Sequence, residues 1–186
     1  MEYKITVDYS KTLKRMIDEG KYDYVSSDIP KHFTVQGEGR KEYTAKLHKI
    51  SKYMSTKEVI EDMQKEGLRP AKVEELLAFG AQYPDEQRDK FFVGLGSVVV
   101  VDGREFVSYL NGAPDYRYLD LSYADDEWYD GPWFLGLESE SKPSDPQSLS
   151  PSDSPSVPCK HFWQLLEVTK AFNSIFCAHC TEVKKI

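Results

Sequence analysis

The sequence predicts a single small α+β domain, with an antiparallel or mixed sheet and helices packed against it. Three observations carry this reading. A long apolar run, Phe91 to Val101, has the composition of a central strand. Two segments of helical spacing, 56–66 and 71–79, stand shortly before it. Alternating segments at both ends of residues 1–137 supply further strands, without the regular strand–helix repeat of a doubly wound sheet. At 186 residues the chain has room for one core of ordinary size.

Residues 2–7 alternate as a strand. Ser10 is placed to cap a short helix with Leu13, Met16 and Ile17 on one face and Gly20 at its end. Tyr24 and Val25 form a short extended piece, and residues 42–50 alternate with Tyr43, Ala45 and Leu47 on one side. Ser55 and Glu58 are spaced as a capping box for a helix whose stripe is Val59, Ile60 and Met63, and Gly67 ends it. Pro70 stands at the first turn of a second helix, with Val73, Leu76 and Leu77 inward and Gly80 closing it. Glu74 and Glu75 suit the positive end of that helix.

The run 91–101 reads as a strand covered on both faces, so a charge at Val98 is expected to unfold the domain. Gly94 and Gly96 within it relieve crowding or mark a bulge. Asp102-Gly103 makes a hairpin turn into a strand over 104–110, which Asn111-Gly112 ends. Tyr116–Leu121 and Trp133–Leu137 supply the last two strands.

The domain is expected to end at residue 137. Residues 138–158 hold eight Ser and five Pro, the composition of a disordered linker. Residues 159–186 form a cysteine-bearing tail, in which Phe162, Leu165, Leu166, Phe172, Ile175 and Phe176 recur at the spacing of an amphipathic helix.

Formal net charge is −7, unevenly spread: +2 over residues 1–70, −8 over 71–137, −3 over 138–158 and +2 over 159–186. The acidic middle repels phosphate backbones and attracts cations or basic partners, which argues against nucleic acid as the main ligand. No apolar run approaches the length of a membrane span. The start, Met1-Glu2-Tyr3-Lys4, carries no signal-peptide pattern. Cysteine is absent from residues 1–158, so no disulfide framework is expected and a reducing cytoplasm is the expected location.

The run Leu68-Arg69-Pro70-Ala71-Lys72-Val73-Glu74-Glu75-Leu76-Leu77-Ala78-Phe79-Gly80 is followed in order by Tyr83-Pro84, Leu95-Gly96-Ser97, Leu119-Asp120-Leu121-Ser122 and Trp133-Phe134-Leu135. This order resembles small uncharacterised proteins of bacteria and their phages, over roughly residues 1–137. The resemblance implies no role for any residue.

One candidate metal set stands out. Cys177 and Cys180 are spaced to share one ion, and Cys159 with His161 can complete a tetrahedral Zn²⁺ site, with His179 between the paired cysteines. Free cysteines in a tail, or a redox pair, are the alternatives. The expected tail helix weighs against zinc. A straight helix over 162–176 would hold the two ligand pairs about 22 Å apart. Asp115, Asp120, Asp125, Asp126, Glu127 and Asp130 form an acidic cluster, which reads as a solvated loop or a site for a hard cation. His48 is the other candidate acid–base group, alongside distant carboxylates. The segments 56–66 and 71–79 around Gly67 have the outline of a helix-turn-helix.

No nucleophile elbow, nucleotide fingerprint or His-Glu-x-x-His motif occurs. The expected function is therefore a non-enzymatic protein-binding or accessory protein of bacterial or phage origin, with no cofactor or with zinc in the tail. The alternatives are a small enzyme with a carboxylate or histidine site, and a nucleic-acid-associated regulator using the helix pair 56–79 or a zinc-bound tail.

Overall fold

The computed structural model describes residues 1–124 and 127–138, together with three short strands at 163–165, 174–177 and 183–185. The chain divides into two units, Met1–Lys142 and Pro143–Ile186.

In chain order the first unit runs β1 (Glu2–Asp8), α1 (Leu13–Gly20), β2 (Tyr24–Val25), α2 (Ile29–His32), β3 (Arg40–His48), β4 (Met54–Ser55), α3 (Thr56–Lys65), β5 (Leu68–Pro70), α4 (Val73–Gln82), a 3-10 turn (Glu86–Arg88), β6 (Phe92–Val101), β7 (Arg104–Ala113), β8 (Tyr116–Tyr123), β9 (Glu127–Trp128) and β10 (Trp133–Glu138). The main sheet has the order β1-β3-β10-β6-β7-β8-β2. β10 pairs parallel with β6 and β2 pairs parallel with β8, while the other ladders are antiparallel. β4 and β9 form a separate two-stranded ladder. The unit is an α+β domain with a mixed sheet and several packed helices.

Two apolar layers lie on the two faces of the sheet, as the alternation within single strands shows. Phe92 and Leu135 point into a layer with α1, α4 and α2, where Leu76, Leu77 and Phe79 are fully buried. Val93 and Phe134, one residue away on β6 and β10, point into a second layer with Val59 and Met63 of α3 and with Trp128. Each fully buried side chain of this size contributes roughly 1.5–3 kcal/mol. The outer edge of β1 is covered by polar side chains of α4 and its cap. Gln82 bonds both the N–H and the C=O of Thr6, and the Tyr83 hydroxyl donates to Lys4 O.

Local signals explain most element ends. Ser55 and Glu58 form the expected capping box, and Gly67 adopts φ 74° just past α3. Thr12, not Ser10, caps α1 by accepting from the Arg15 N–H. Asp102 and Gly103, at φ 50° and 80°, make the tight turn between β6 and β7.

Four expectations need correction. Pro70 ends β5 instead of opening α4. β5 pairs with Gly136–Glu138 of β10, beyond the point where β6 leaves that edge, and α4 begins at Val73. Gly80 lies inside α4, which continues to Gln82. Asn111-Gly112 does not end β7, which runs to Ala113 and turns at Pro114-Asp115. Gly112 instead sits where the Tyr116 carbonyl would be 2.7 Å from any Cβ. Glu138 closes β10 against Leu68, one residue past the expected domain end.

The fifth correction concerns β6. Phe92 to Leu95 are buried, as expected of a strand covered on both faces. The ladder with β7 then shifts register between Gly94 and Val98. Gly96 sits in this bulge, and a Cβ there would come within 2.6 Å of Pro70 O. Past the bulge the strand outruns the layer beneath it. Val98 is 48% exposed and Val100 59%.

In the second unit the described residues are strands, not the helix the spacing suggests. β11 (Trp163–Leu165), β12 (Ser174–Cys177) and β13 (Val183–Lys185) form an antiparallel sheet in that order, with Trp163 opposite Cys177. At three or four residues each, the strands are too short to separate a period of 2 from 3.6. The linker expected over 138–158 lies, past Glu138, outside the described residues.

The exposure of Val98 reverses the expectation for that site. Val98→Asp is expected to cost no more than about 1 kcal/mol. Val93→Asp, at a fully buried position of the same strand, is expected to cost about 4 kcal/mol or more. Urea melts of the two variants test this. Similar midpoints for both would mean the bulge does not divide the strand in this way.

Candidate functional site

The densest arrangement of polar side chains in the first unit surrounds the start of α4. Glu75 is the third residue of that helix and 1% exposed. Its Oε2 accepts from the Lys72 N–H at 2.7 Å, which satisfies one of the free donors at the helix start. Arg69, at the end of β5, grips both oxygens, Nη1 to Oε2 at 2.9 Å and Nη2 to Oε1 at 2.7 Å. The Tyr9 hydroxyl donates to Oε1 at 3.0 Å and lies 3.1 Å from the Tyr43 hydroxyl. The Arg69 guanidinium also stands 5.2 Å from the Tyr43 ring centre.

The electrostatics follow from this geometry. The hydrogen bond to Glu75 pushes Arg69 further up. Burial first, then the Tyr43 hydrogen bond and the Glu75 charge, hold the Tyr9 hydroxyl well above the usual phenol range. A cleft of about 450 Å³ opens beside the group, rimmed also by Gln36, Lys41 and Lys72. Every acceptor position of Glu75 toward it is already used, so the carboxylate is a positioning group for Arg69 and Tyr9 and not a free base.

Glu74, its neighbour, is different. It is also 1% exposed and turns to the other side of α4, into a cavity of about 320 Å³ against β1 and α1. One oxygen accepts from the Gln36 N–H, and Oε2 has no partner among the protein's own groups. Lys11 and Glu19 on the wall pair with each other at 2.8 Å. Asp8 accepts from the Ser10 hydroxyl at 2.6 Å, and that bond, with the Ser10 N–H, holds its carboxyl below the usual range. Arg40 also lines this cavity, and Glu74 Oε2 is buried without a hydrogen-bond partner.

The residues singled out in the sequence fare unevenly. His48, on β3, is 3% exposed and faces α3, with Nδ1 3.2 Å from Glu66 and Nε2 3.5 Å from Asp62. Its carboxylate neighbours are therefore on α3 and at the cap that follows it, and not in the 115–130 segment. That segment is dispersed. Asp115 sits in the β7–β8 turn, Asp120 accepts from the Tyr109 hydroxyl and the Leu121 N–H, and Asp130 pairs with Lys49 at 3.3 Å. Glu127 is exposed on β9, while Asp125 and Asp126 lie outside the described residues. Among the described residues no group of three or more His, Cys, Asp or Glu is placed to hold a metal ion.

The helix pair is not a helix-turn-helix. β5 separates α3 from α4, the two helices serve opposite faces of the sheet, and most of α4 is buried. α4 thus has no broad exposed face to lay in a groove. Of the tail set, Cys177 ends β12, and Cys159, His161 and Cys180 lie outside the described residues. Among the described residues no helix is long and apolar enough to cross a membrane.

Sequence reasoning missed the Arg69–Glu75–Tyr9–Tyr43 group because its members come from β5, α4, the end of β1 and β3. The one local signal was the pair of adjacent glutamates at a helix start, of which a solvated helix needs neither buried. No family model, curated protein or solved structure matches this chain.

Arg69→Ala strands a buried Glu75 carboxylate. It is expected to cost roughly 2–3 kcal/mol, discounted because a third of the Arg69 side chain faces water. Tyr9→Phe removes one donor and is expected to cost about 1–2 kcal/mol. Urea melts measure both. An Arg69→Ala variant as stable as the parent would show that Glu75 is not held by this pair.

Proposed function

We propose that the chain is a non-enzymatic protein-binding or accessory protein, of the small bacterial and phage kind it resembles, and that the outer half of β6 meets the partner. The exposure of Val98 and Val100 carries this reading. Valines on the core-facing side of a strand are ordinarily covered, and Val107, directly opposite Val98, is fully buried. Two acidic groups flank the strip, while Arg104 between them, opposite Val101, stacks on the Tyr123 ring. Glu105 pairs with Val100 across the ladder, and Asp102 follows Val101 in the turn. Residues 71–137 carry a net charge of −8. An apolar strip with an acidic rim fits a partner surface that is apolar at its centre and rich in Lys and Arg around it.

A photo-crosslinker at position 100 of the full-length protein, in its native host, is expected to trap one partner. The same group at Tyr53, which is 72% exposed elsewhere on the domain, is expected not to. Val98→Lys/Val100→Lys is then expected to weaken that complex by roughly tenfold or more, with the parent's melting curve. Equal capture at both positions, or unchanged affinity in the double variant, would overturn the proposal.

A second reading, a small enzyme or ligand-binding protein with a carboxylate site, is favoured by one observation: Glu74 Oε2 is buried without a hydrogen-bond partner, on a residue that lines a cavity. Under this reading a small primary amine or guanidine raises the melting temperature of the parent protein. Glu74→Gln abolishes that shift while remaining folded. An equal shift in both proteins counts against it.

A further inference from the structure

We propose that the cleft beside the Arg69–Glu75 pair binds a small phosphate-bearing ligand, with Lys41, Lys72 and Arg69 as its recognition groups. This site is distinct from the β6 strip and from the Glu74 cavity, and it rests on neither. The local charge is the observation behind it. Three cations and one carboxylate line the cleft, a net charge of +2, on a chain whose net charge is −7. The cations come from three elements: Lys41 from β3, Arg69 from β5 and Lys72 from the residue that caps α4. Lys41 and Tyr43 share the face of β3 that meets the helix layer, since their partners Val7 and Ile5 are both buried in that layer. The fold thus gathers positive charge at one concave place against the sign of the whole molecule.

The hydrogen-bond accounting points the same way. Glu75 accepts from Arg69 twice, from the Lys72 N–H and from the Tyr9 hydroxyl, which uses both of its oxygens. The Tyr9 hydrogen goes to Glu75, so the Tyr43 hydroxyl is the donor of the pair they form. Arg69 has five N–H groups. Two go to Glu75 and one to Pro70 O at 3.5 Å, which leaves the Nε–H and one Nη2 hydrogen uncommitted. Among the described residues neither the Lys41 nor the Lys72 ammonium has a hydrogen bond or an ion pair. The cleft therefore holds a surplus of charged donors and a carboxylate that is already spent. The attraction does not come from the end of α4, where the Lys72 N–H is taken by Glu75 and the Val73 N–H by the Ser97 hydroxyl.

The surplus sets the ligand class. An excess of two positive charges matches the roughly −1.5 to −2 of a phosphate monoester near neutral pH, whereas a single carboxylate would leave part of it uncompensated. Charge-assisted bonds from ammonium and guanidinium groups are the strong ones for such an oxyanion. A volume of about 450 Å³ lies within the range of small-molecule sites and far exceeds one phosphate group, so the ligand carries an organic part as well. The Arg69 guanidinium is positioned for this role by its two bonds to Glu75 and by the Tyr43 ring 5.2 Å away. Glu75 is in this sense a positioning residue for the site.

The test is a calorimetric titration of the full-length protein, in about 0.15 M salt to screen non-specific attraction. The probes are phenyl phosphate and benzoate, which share a ring and differ in charge. Phenyl phosphate is expected to bind saturably, with one site per chain and a Kd below about 1 mM, and benzoate at least about tenfold more weakly. Inorganic phosphate is expected to compete with phenyl phosphate. Lys41→Gln and Lys72→Gln should each weaken phenyl phosphate by about tenfold. Lys57→Gln, on α3 beside Glu61, should bind like the parent. All three variants should melt like the parent without ligand, so a loss of binding is not a loss of fold. Three outcomes overturn the proposal: no saturable binding of phenyl phosphate up to about 10 mM, equal affinity for benzoate, or unchanged affinity in the Lys41→Gln/Lys72→Gln double variant.

Discussion

The helix layer on one face of the sheet is tied down by a single buried cation. Arg117, on β8, is 5% exposed, and its guanidinium donates to Gly20 O at 2.7 Å, to Gly80 O at 2.6 Å and to Gln87 Oε1 at 3.0 Å. Gly20 is the last residue of α1, and Gly80 lies in the last turn of α4. Helix ends leave such carbonyls without partners and carry partial negative charge. A cation that would be costly in apolar surroundings is placed where two such ends converge. Burial still lowers its pKa, the mark of a desolvation cost only partly offset. Tyr22 packs beneath it, with its ring centre 5.1 Å from the guanidinium carbon. That packing explains both glycines, since a Cβ at Gly20 would run into the Tyr22 ring and one at Gly80 into the Tyr22 hydroxyl and Leu110. A lysine could not replace Arg117, because its single ammonium cannot span three acceptors in one plane.

This constraint shows why the sequence conveys some elements and not others. The α3 capping box, the Asp102-Gly103 turn and the alternation of β3 are set by residues within four positions of each other, so they are legible from the chain alone. Gly80 reads locally as a helix stop, whereas its reason is Tyr22, almost sixty positions away in the chain. Pro70 reads as a helix start. In fact the free edge of β10 past Phe134 requires a strand there, and a proline can end an edge pairing with no N–H to offer. Tertiary demands overrode local preference at both places.

The same distinction separates the legible and hidden parts of the candidate site. Glu74 and Glu75 sit at a helix start, where acidic residues are common on a solvated surface. Nothing local distinguishes that case from two carboxylates that are both buried, one bound by four donors and one left with an oxygen that has no hydrogen-bond partner. The side-chain partners of Glu75 are guanidinium and hydroxyl groups six and sixty-six positions distant, respectively. His48 was legible as an unusual residue, but its placement against α3 follows from the register of β3 with β10, which pairs it with Phe134 on the α3 side of the sheet.

β6 joins these threads, because it is one strand with two environments. Its first four residues form the centre of the sheet, pressed between α4 and α3. Gly94 and Gly96 let β6 pass beneath the β5–α4 connection, where Gly96 N–H donates to Ala71 O and the Ser97 hydroxyl accepts from the Val73 N–H at the start of α4. The bulge therefore anchors the helix that carries Glu74 and Glu75, and it also redirects the strand. A sequence of four consecutive valines cannot reveal this, since hydrophobicity is the same on both sides of the bulge. The residues that place the polar group at α4 and those that leave Val98 and Val100 uncovered are thus parts of one backbone feature, and a bulky residue at Gly96 would disturb both together.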